Sequence, residues 1–166
     1  MWTEIMNYFA DSPAQSRVVN FLLENGFGVN DEGYITCNGI AIPATHIARA
    51  IGTDRRVVEA TGQRILRNEI LKKIFINIRV TPDLSKVADS LGLSVITILP
   101  KNAQEKGIVG SAIQILHNHN LSIRQIFVTD PYINVNPKLV IIIDEPLPKG
   151  VIEELRALPQ IKSIIF

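Results

Sequence analysis

Ser94-Val-Ile-Thr-Ile-Leu-Pro-Lys-Asn-Ala-Gln-Glu-Lys-Gly-Ile-Val109 runs from a β-prone stretch into a helical one through a loop that carries a single glycine. The first six residues predict a strand. From Gly107 to Asn120 the period becomes helical, with Val109, Ala112, Ile113 and Leu116 on one face. Beyond it, Ser122-Ile-Arg-Gln-Ile-Phe-Val128 and Lys138-Leu-Val-Ile-Ile-Ile143 predict two more strands. Pro148 opens a second helix whose Val151, Ile152, Leu155 and Leu158 face inward, and Lys162 to Phe166 close the chain as a strand.

Two strand-helix-strand units joined in this way predict a four-stranded antiparallel sheet with both helices on one face, the ferredoxin-like plan. A sheet covered on one face alternates apolar and polar residues, yet Leu139-Val-Ile-Ile-Ile143 is apolar throughout. The other face therefore needs a cover. The simplest cover is a second copy of the domain, and the alternative is the chain's own N-terminal domain.

Ahead of this module the charge is uneven. Residues 1–42 hold 1 basic and 5 acidic side chains, residues 43–82 hold 8 and 3, and residues 83–166 hold 8 and 8, within a chain of net charge +1. A local basic excess is a footprint of polyanion binding, although a solvated helix face gives the same count. The basic block contains Pro43 to Asn68, which divides into two helices at Gly52-Thr53-Asp54. Ala48 is small where the helices cross, Gly52 permits a left-handed turn, Val58 fills the gap, and Thr53 or Asp54 caps the second helix. Val57, Val58, Thr61 and Ile65 form the inward stripe, leaving Arg55, Arg56, Glu59, Gln63 and Arg67 outward. This stretch resembles a helix-turn-helix. With Thr53 and Arg64 added, the expected DNA-facing set is Thr53, Arg55, Arg56, Gln63, Arg64 and Arg67.

Trp2 to Ala10 and Pro13 to Gly26 read as helices, and Asn38-Gly39 between two short β-prone runs predicts a type I′ hairpin. Leu71 to Val80 is β-prone and would add a third strand to that hairpin. Residues 13–80 then look like a winged helix, with the hairpin before the helix pair instead of after it. Thr81-Pro82-Asp83 introduces a short linker helix, Leu84 to Leu91, ended by Gly92. The expected organisation is an α+β chain: a winged-helix-like helix-turn-helix domain over 1–81, a linker helix over 82–92, and the ferredoxin-like domain over 93–166.

The C-terminal module resembles an ACT domain, the amino-acid-sensing module of many regulators of amino acid metabolism. The whole layout is similar to archaeal regulators that place a helix-turn-helix before an ACT domain. In that family the ligand loop reads acidic residue, any residue, proline, glycine, then an apolar pair; Gln104 to Val109 occupy those positions, with Gly107, Ile108 and Val109 matching. The resemblance implies a small amino acid bound by Asn102, Gln104, Lys106, Gly107, Ile108 and Val109, with Gln125 and Phe127 on the facing wall. It also implies a homodimer or higher oligomer through this module. Physically, free N–H groups at the start of a helix suit a carboxylate.

Catalysis finds no constellation. Cys37 lies beside a hairpin turn with no histidine near it in sequence, and Asp144-Glu145 precedes a helix, where acids favour the dipole. His117 and His119 would point about 200° apart on a helix, so a shared metal is not expected. No cofactor and no metal is expected. No stretch approaches the roughly 20 apolar residues of a membrane span, the N-terminus lacks a basic region before an apolar run, and one cysteine forms no internal disulfide, so a cytoplasmic, non-enzymatic regulator is expected. Two readings follow: an amino-acid-responsive DNA-binding regulator, or a regulatory partner of a biosynthetic enzyme such as homoserine dehydrogenase.

Overall fold

A computed structural model describes residues 2–131 and 136–166. The chain is mixed α+β and divides into two compact units, Met1–Thr81 and Pro82–Phe166.

In the first unit, α1 (Trp2–Asn7) and α2 (Pro13–Asn25) precede a small sheet and a helix pair, α3 (Ala44–Ile51) and α4 (Arg55–Arg67). α2 ends on Gly26, which takes the left-handed conformation at φ 65. The sheet is β1 (Gly28–Val29), β2 (Ile35–Cys37) and β3 (Ile40–Ala41), in that order and antiparallel. Asn38 and Gly39 have φ 49 and 87, the two positive angles a type I′ turn demands. Phe9, Val18, Val19, Leu22, Val58, Ile65, Leu71 and Phe75 make one buried core.

The expected third strand, Leu71 to Val80, is instead a helix, α5 (Glu69–Asn77). Leu71, Ile74, Phe75 and Ile78 satisfy the helical period as well as Ile74, Ile76, Ile78 and Val80 satisfy the strand period. Asn68 decides between them: its Oδ1 accepts from the backbone N–H groups of Ile70 and Leu71, each at 3.0 Å. The true third strand is only two residues long, too short to register as a periodic run. Val80 nevertheless reaches the hairpin, because Asn38 donates to its carbonyl at 3.0 Å and accepts from its N–H at 2.9 Å.

The second unit contains β4 (Ser94–Pro100), α6 (Ile108–Asn118), β5 (Ile123–Val128), β6 (Leu139–Ile143), α7 (Lys149–Ala157) and β7 (Ile161–Ile165). Its antiparallel sheet runs β5-β6-β4-β7. Ile96, Ile98, Leu139, Ile141 and Ile143 pack with Ala112, Leu116, Val151 and Leu155 of the helices.

All five residues of β6 are buried. The cover of its second face is neither of the expected ones: Leu84, Ala88 and Leu93, from the segment just before β4, pack with Val140, Ile142, Val95 and Phe127. That segment is not the expected helix. It has turns over 85–88 and a single 3₁₀ turn, Asp89–Leu91. Its shape follows the sheet that it covers, and it lies within the second unit.

Candidate functional site

The loop from β4 to α6 is tied at its start and open at its end. Lys101 donates its backbone N–H to Gln160 at 2.8 Å and its Nζ to the Pro159 carbonyl at 2.7 Å. Asn102 turns the chain by accepting from the Gln104 N–H at 3.0 Å, so its side-chain oxygen is committed within the loop. Gly107 then caps α6 at φ 93 and ψ −11, a left-handed conformation that a side chain would strain. A Cβ there would meet nothing within 4 Å, so glycine is required by the backbone angle alone.

Beside this helix start lies a cavity of about 130 Å³, lined by Pro100, Ala103, Glu105, Gly107, Ile108, Val109, Gly110, Val128, Pro137, Lys138 and Leu139. Drug-sized sites begin near 300 Å³, so this cavity takes only a small molecule. Its floor is the first turn of α6, whose N–H groups have no intrahelical acceptor and carry the positive end of the helix dipole.

Of the expected ligand set, Gly107, Ile108 and Val109 line the cavity, while Asn102, Gln104 and Lys106 do not. Gln125 and Phe127 are corrected by strand parity. Val128 pairs with Leu139 and Phe127 with Val140, so Val128 shares the helix-covered face and Phe127 the opposite one. Gln125 sits with Phe127: its Oε1 accepts from the Leu84 N–H at 3.1 Å and its Nε2 donates to the Pro82 carbonyl at 2.7 Å. The residue of β5 at the cavity is Val128. Finding it requires the β5–β6 register, which periodicity alone does not supply. Glu105, which also lines the cavity, is marked in the sequence by its charge between Gln104 and Lys106, whereas Pro100, Ala103, Gly110, Pro137 and Leu139 carry no chemical signal.

Lys138 has the parity of Val140 and Ile142, which directs its side chain away from the helices. Accordingly its charge reaches Asp83, whose carboxyl is held below its usual range, first by hydrogen bonds from Ser85 and then by Lys138 and Lys86.

In the first unit the helix pair turns on Gly52, at φ 65 and ψ 48, with Ala48 and Val58 buried. Asp54, not Thr53, is the cap: its Oδ1 accepts from the Arg56 N–H at 2.8 Å. Thr53 is half-buried in the turn. Arg55, Arg56 and Arg67 are exposed, and Arg56, Ala60, Gln63 and Arg67 follow one line at spacings of four and three. That line spans roughly 16 Å.

Two members of the expected DNA-facing set are occupied inside the unit. Gln63 donates Nε2 to the Glu32 carbonyl at 2.7 Å. Arg64 donates to Gln15 Oε1 (2.8 Å), to the Tyr8 carbonyl (2.7 Å) and to Asp11 Oδ1 (2.8 Å), with its guanidinium 5.1 Å from the Phe9 ring centre. Arg64 lies on the flank of α4 that faces the turn between α1 and α2 and the first turn of α2, and it ties both to α4. The hydrogen bond from Arg64 is also the main reason that the Asp11 carboxyl is held below its ordinary value.

Gly62, unexpected in mid-helix, has a steric reason: a Cβ there would collide with the Gly33 carbonyl. The turn 30–34, shaped by Asn30 Oδ1 accepting from the Glu32 and Tyr34 N–H groups, lies over the outer flank of α4. Residues 28–43 contain no lysine or arginine and include Asp31 and Glu32, while Tyr34 and Ile40 are 57% and 75% exposed. A search of protein-family models and a search of curated proteins each find no match to this chain.

Proposed function

We propose that this chain is an amino-acid-responsive regulator that binds a small amino acid in the second unit and duplex DNA through α3 and α4. The observation that carries the sensing half is the opening of α6 at Gly107 directly onto a small cavity. The unpaired N–H groups of that turn accommodate a carboxylate, Glu105 is the acidic residue at hand for an ammonium group, and Val128 and Leu139 offer an apolar wall. The strand order β5-β6-β4-β7 supports the ferredoxin-like plan, and with it the resemblance to ACT domains. β5 is an edge strand whose exposed Ile126 and Val128 suit pairing with a second copy.

The DNA half rests on the ridge of exposed arginines along α4, now narrowed to Arg55, Arg56 and Arg67. The alternative, a protein partner such as an amino acid biosynthetic enzyme, draws support from the exposed, uncharged Tyr34 beside α4 and Ile40 in the hairpin. A thermal-shift screen against the common amino acids tests sensing: a ligand at 100 times its Kd stabilises by about 2.7 kcal/mol. A flat screen would refute it. Duplex binding measured across a salt series tests the other half, and no affinity for any duplex at low salt would leave the protein partner as the reading.

A further inference from the structure

Glu59 is the one acidic residue of α4, a helix that also carries Arg55, Arg56, Arg64 and Arg67. Its side chain is exposed, and among the described residues it has no ion-pair or hydrogen-bond partner. The neighbours at helical spacing leave it unsatisfied. Arg55 and Arg56, four and three residues back, form no ion pair with it, and Gln63, four residues on, is bonded to the Glu32 carbonyl. Glu59 instead borders a shallow hollow of about 280 Å³ whose other walls are Tyr34, Ala41, Ile42, Pro43 and Ala44, so it is the only charged group there.

We propose that Glu59 is a specificity-determining residue of the DNA face, reading cytosine in the major groove; this rests on the DNA-binding half of the function proposed above. A carboxylate on a surface that meets phosphates is repelled, and only a donor on a base edge offsets that repulsion. The major groove offers two such donors, the cytosine N4 and adenine N6 amines. They differ in what lies beside them. Adenine N6 is flanked by the N7 acceptor, which a carboxylate repels, whereas cytosine N4 is flanked by the apolar C5 edge. An apolar hollow with one carboxylate at its margin matches the second pattern: Ile42 and Pro43 take the C5 edge while Glu59 accepts from N4. Glu59 thus lowers affinity for DNA in general and restores it where a cytosine is correctly placed.

The test is selection from a randomised duplex pool by the full-length protein, as wild type, Glu59→Ala and Glu59→Gln. Because Glu59 is exposed and partnerless, both variants fold, which circular dichroism verifies. Wild type should enrich cytosine at one position of the selected site. Glu59→Ala should lose that enrichment, keep the rest of the motif, and bind random duplex several-fold more tightly at low salt. Glu59→Gln, with a donor and an acceptor, should shift the same position toward adenine. An unchanged motif in Glu59→Ala would overturn the assignment while leaving DNA binding intact. A wild-type protein that retains no duplex would overturn the DNA-binding reading itself, and this one with it.

Discussion

The carbonyl of Gly33 lies against the Cα of Gly62, leaving no room for a side chain on the helix. Glycine in mid-helix normally costs up to about 1 kcal/mol against alanine, so a helix-propensity argument alone makes Gly62→Ala stabilising. The contact reverses the sign. Gly62→Ala should destabilise the chain by roughly 1–3 kcal/mol, because the turn 30–34 must lift off α4. Gly110→Ala, where a Cβ meets nothing within 4 Å, should be neutral or stabilising by up to about 1 kcal/mol. Denaturant unfolding of both variants measures the contrast.

Arg64 should separate from the other arginines of its helix. Arg64→Ala removes three hydrogen bonds and the stacking on Phe9, and should cost roughly 1–3 kcal/mol. Arg67→Ala, exposed, should stay within about 0.5 kcal/mol of wild type. Equal losses in denaturant unfolding would refute the pinning role.

The same pair sets an acid dependence. Asp11 is held below its ordinary value of 3.8, first by the hydrogen bond from Arg64. A carboxyl with a lowered folded pKa binds its proton less readily in the folded than in the unfolded chain. Its contribution is therefore present above 3.8 and is lost as the pH falls through the lower folded value. Titrating the Asp11 carboxyl by NMR should show the depressed value in wild type and a return toward the ordinary one in Arg64→Ala.

Gly107→Ala should cost about 1–2 kcal/mol, the penalty of a side chain in the left-handed region, and should abolish the thermal shift produced by any amino acid that stabilises wild type. Destabilisation with an unchanged ligand shift would detach Gly107 from the cavity's function.

Replacing Arg55, Arg56 and Arg67 together by alanine should leave the unfolding transition in place while weakening duplex binding. The slope of log K against log salt should flatten by up to about 0.9 for each phosphate contact removed. Ligand-induced stabilisation should persist. Loss of both functions together would mean that the variant is unfolded.

Much of this architecture is legible in one dimension because single residues impose it. Asn38-Gly39 fixes a hairpin through two positive φ angles, Gly52 a turn between helices, and Gly107 the entry to α6. The stretch Leu71 to Val80 reads as a strand because its apolar residues satisfy a period of 2 as well as 3.6, and the Asn68 cap resolves it as part of a helix. That Val128 and not Gln125 or Phe127 borders the cavity is not legible in the sequence, since side-chain direction along β5 depends on its register with β6. The sequence does not show that Gln63 and Arg64, both in the expected DNA-facing set, are bonded within the unit, because their partners, Glu32, Tyr8, Asp11 and Gln15, lie 31 to 56 residues upstream. Helical phase gives an azimuth, and only tertiary neighbours say whether that azimuth is vacant.

Leu84, Ala88 and Leu93 shield the far side of β6, and they determine where this polypeptide can be divided. A protease or a gene fusion that severs it just before Leu93 would hand Val140 and Ile142 to water and leave a sticky, aggregating remnant. Severed at Pro82, the piece would keep its own wrapping. The seam follows the start of that wrapping, a dozen residues ahead of the first strand.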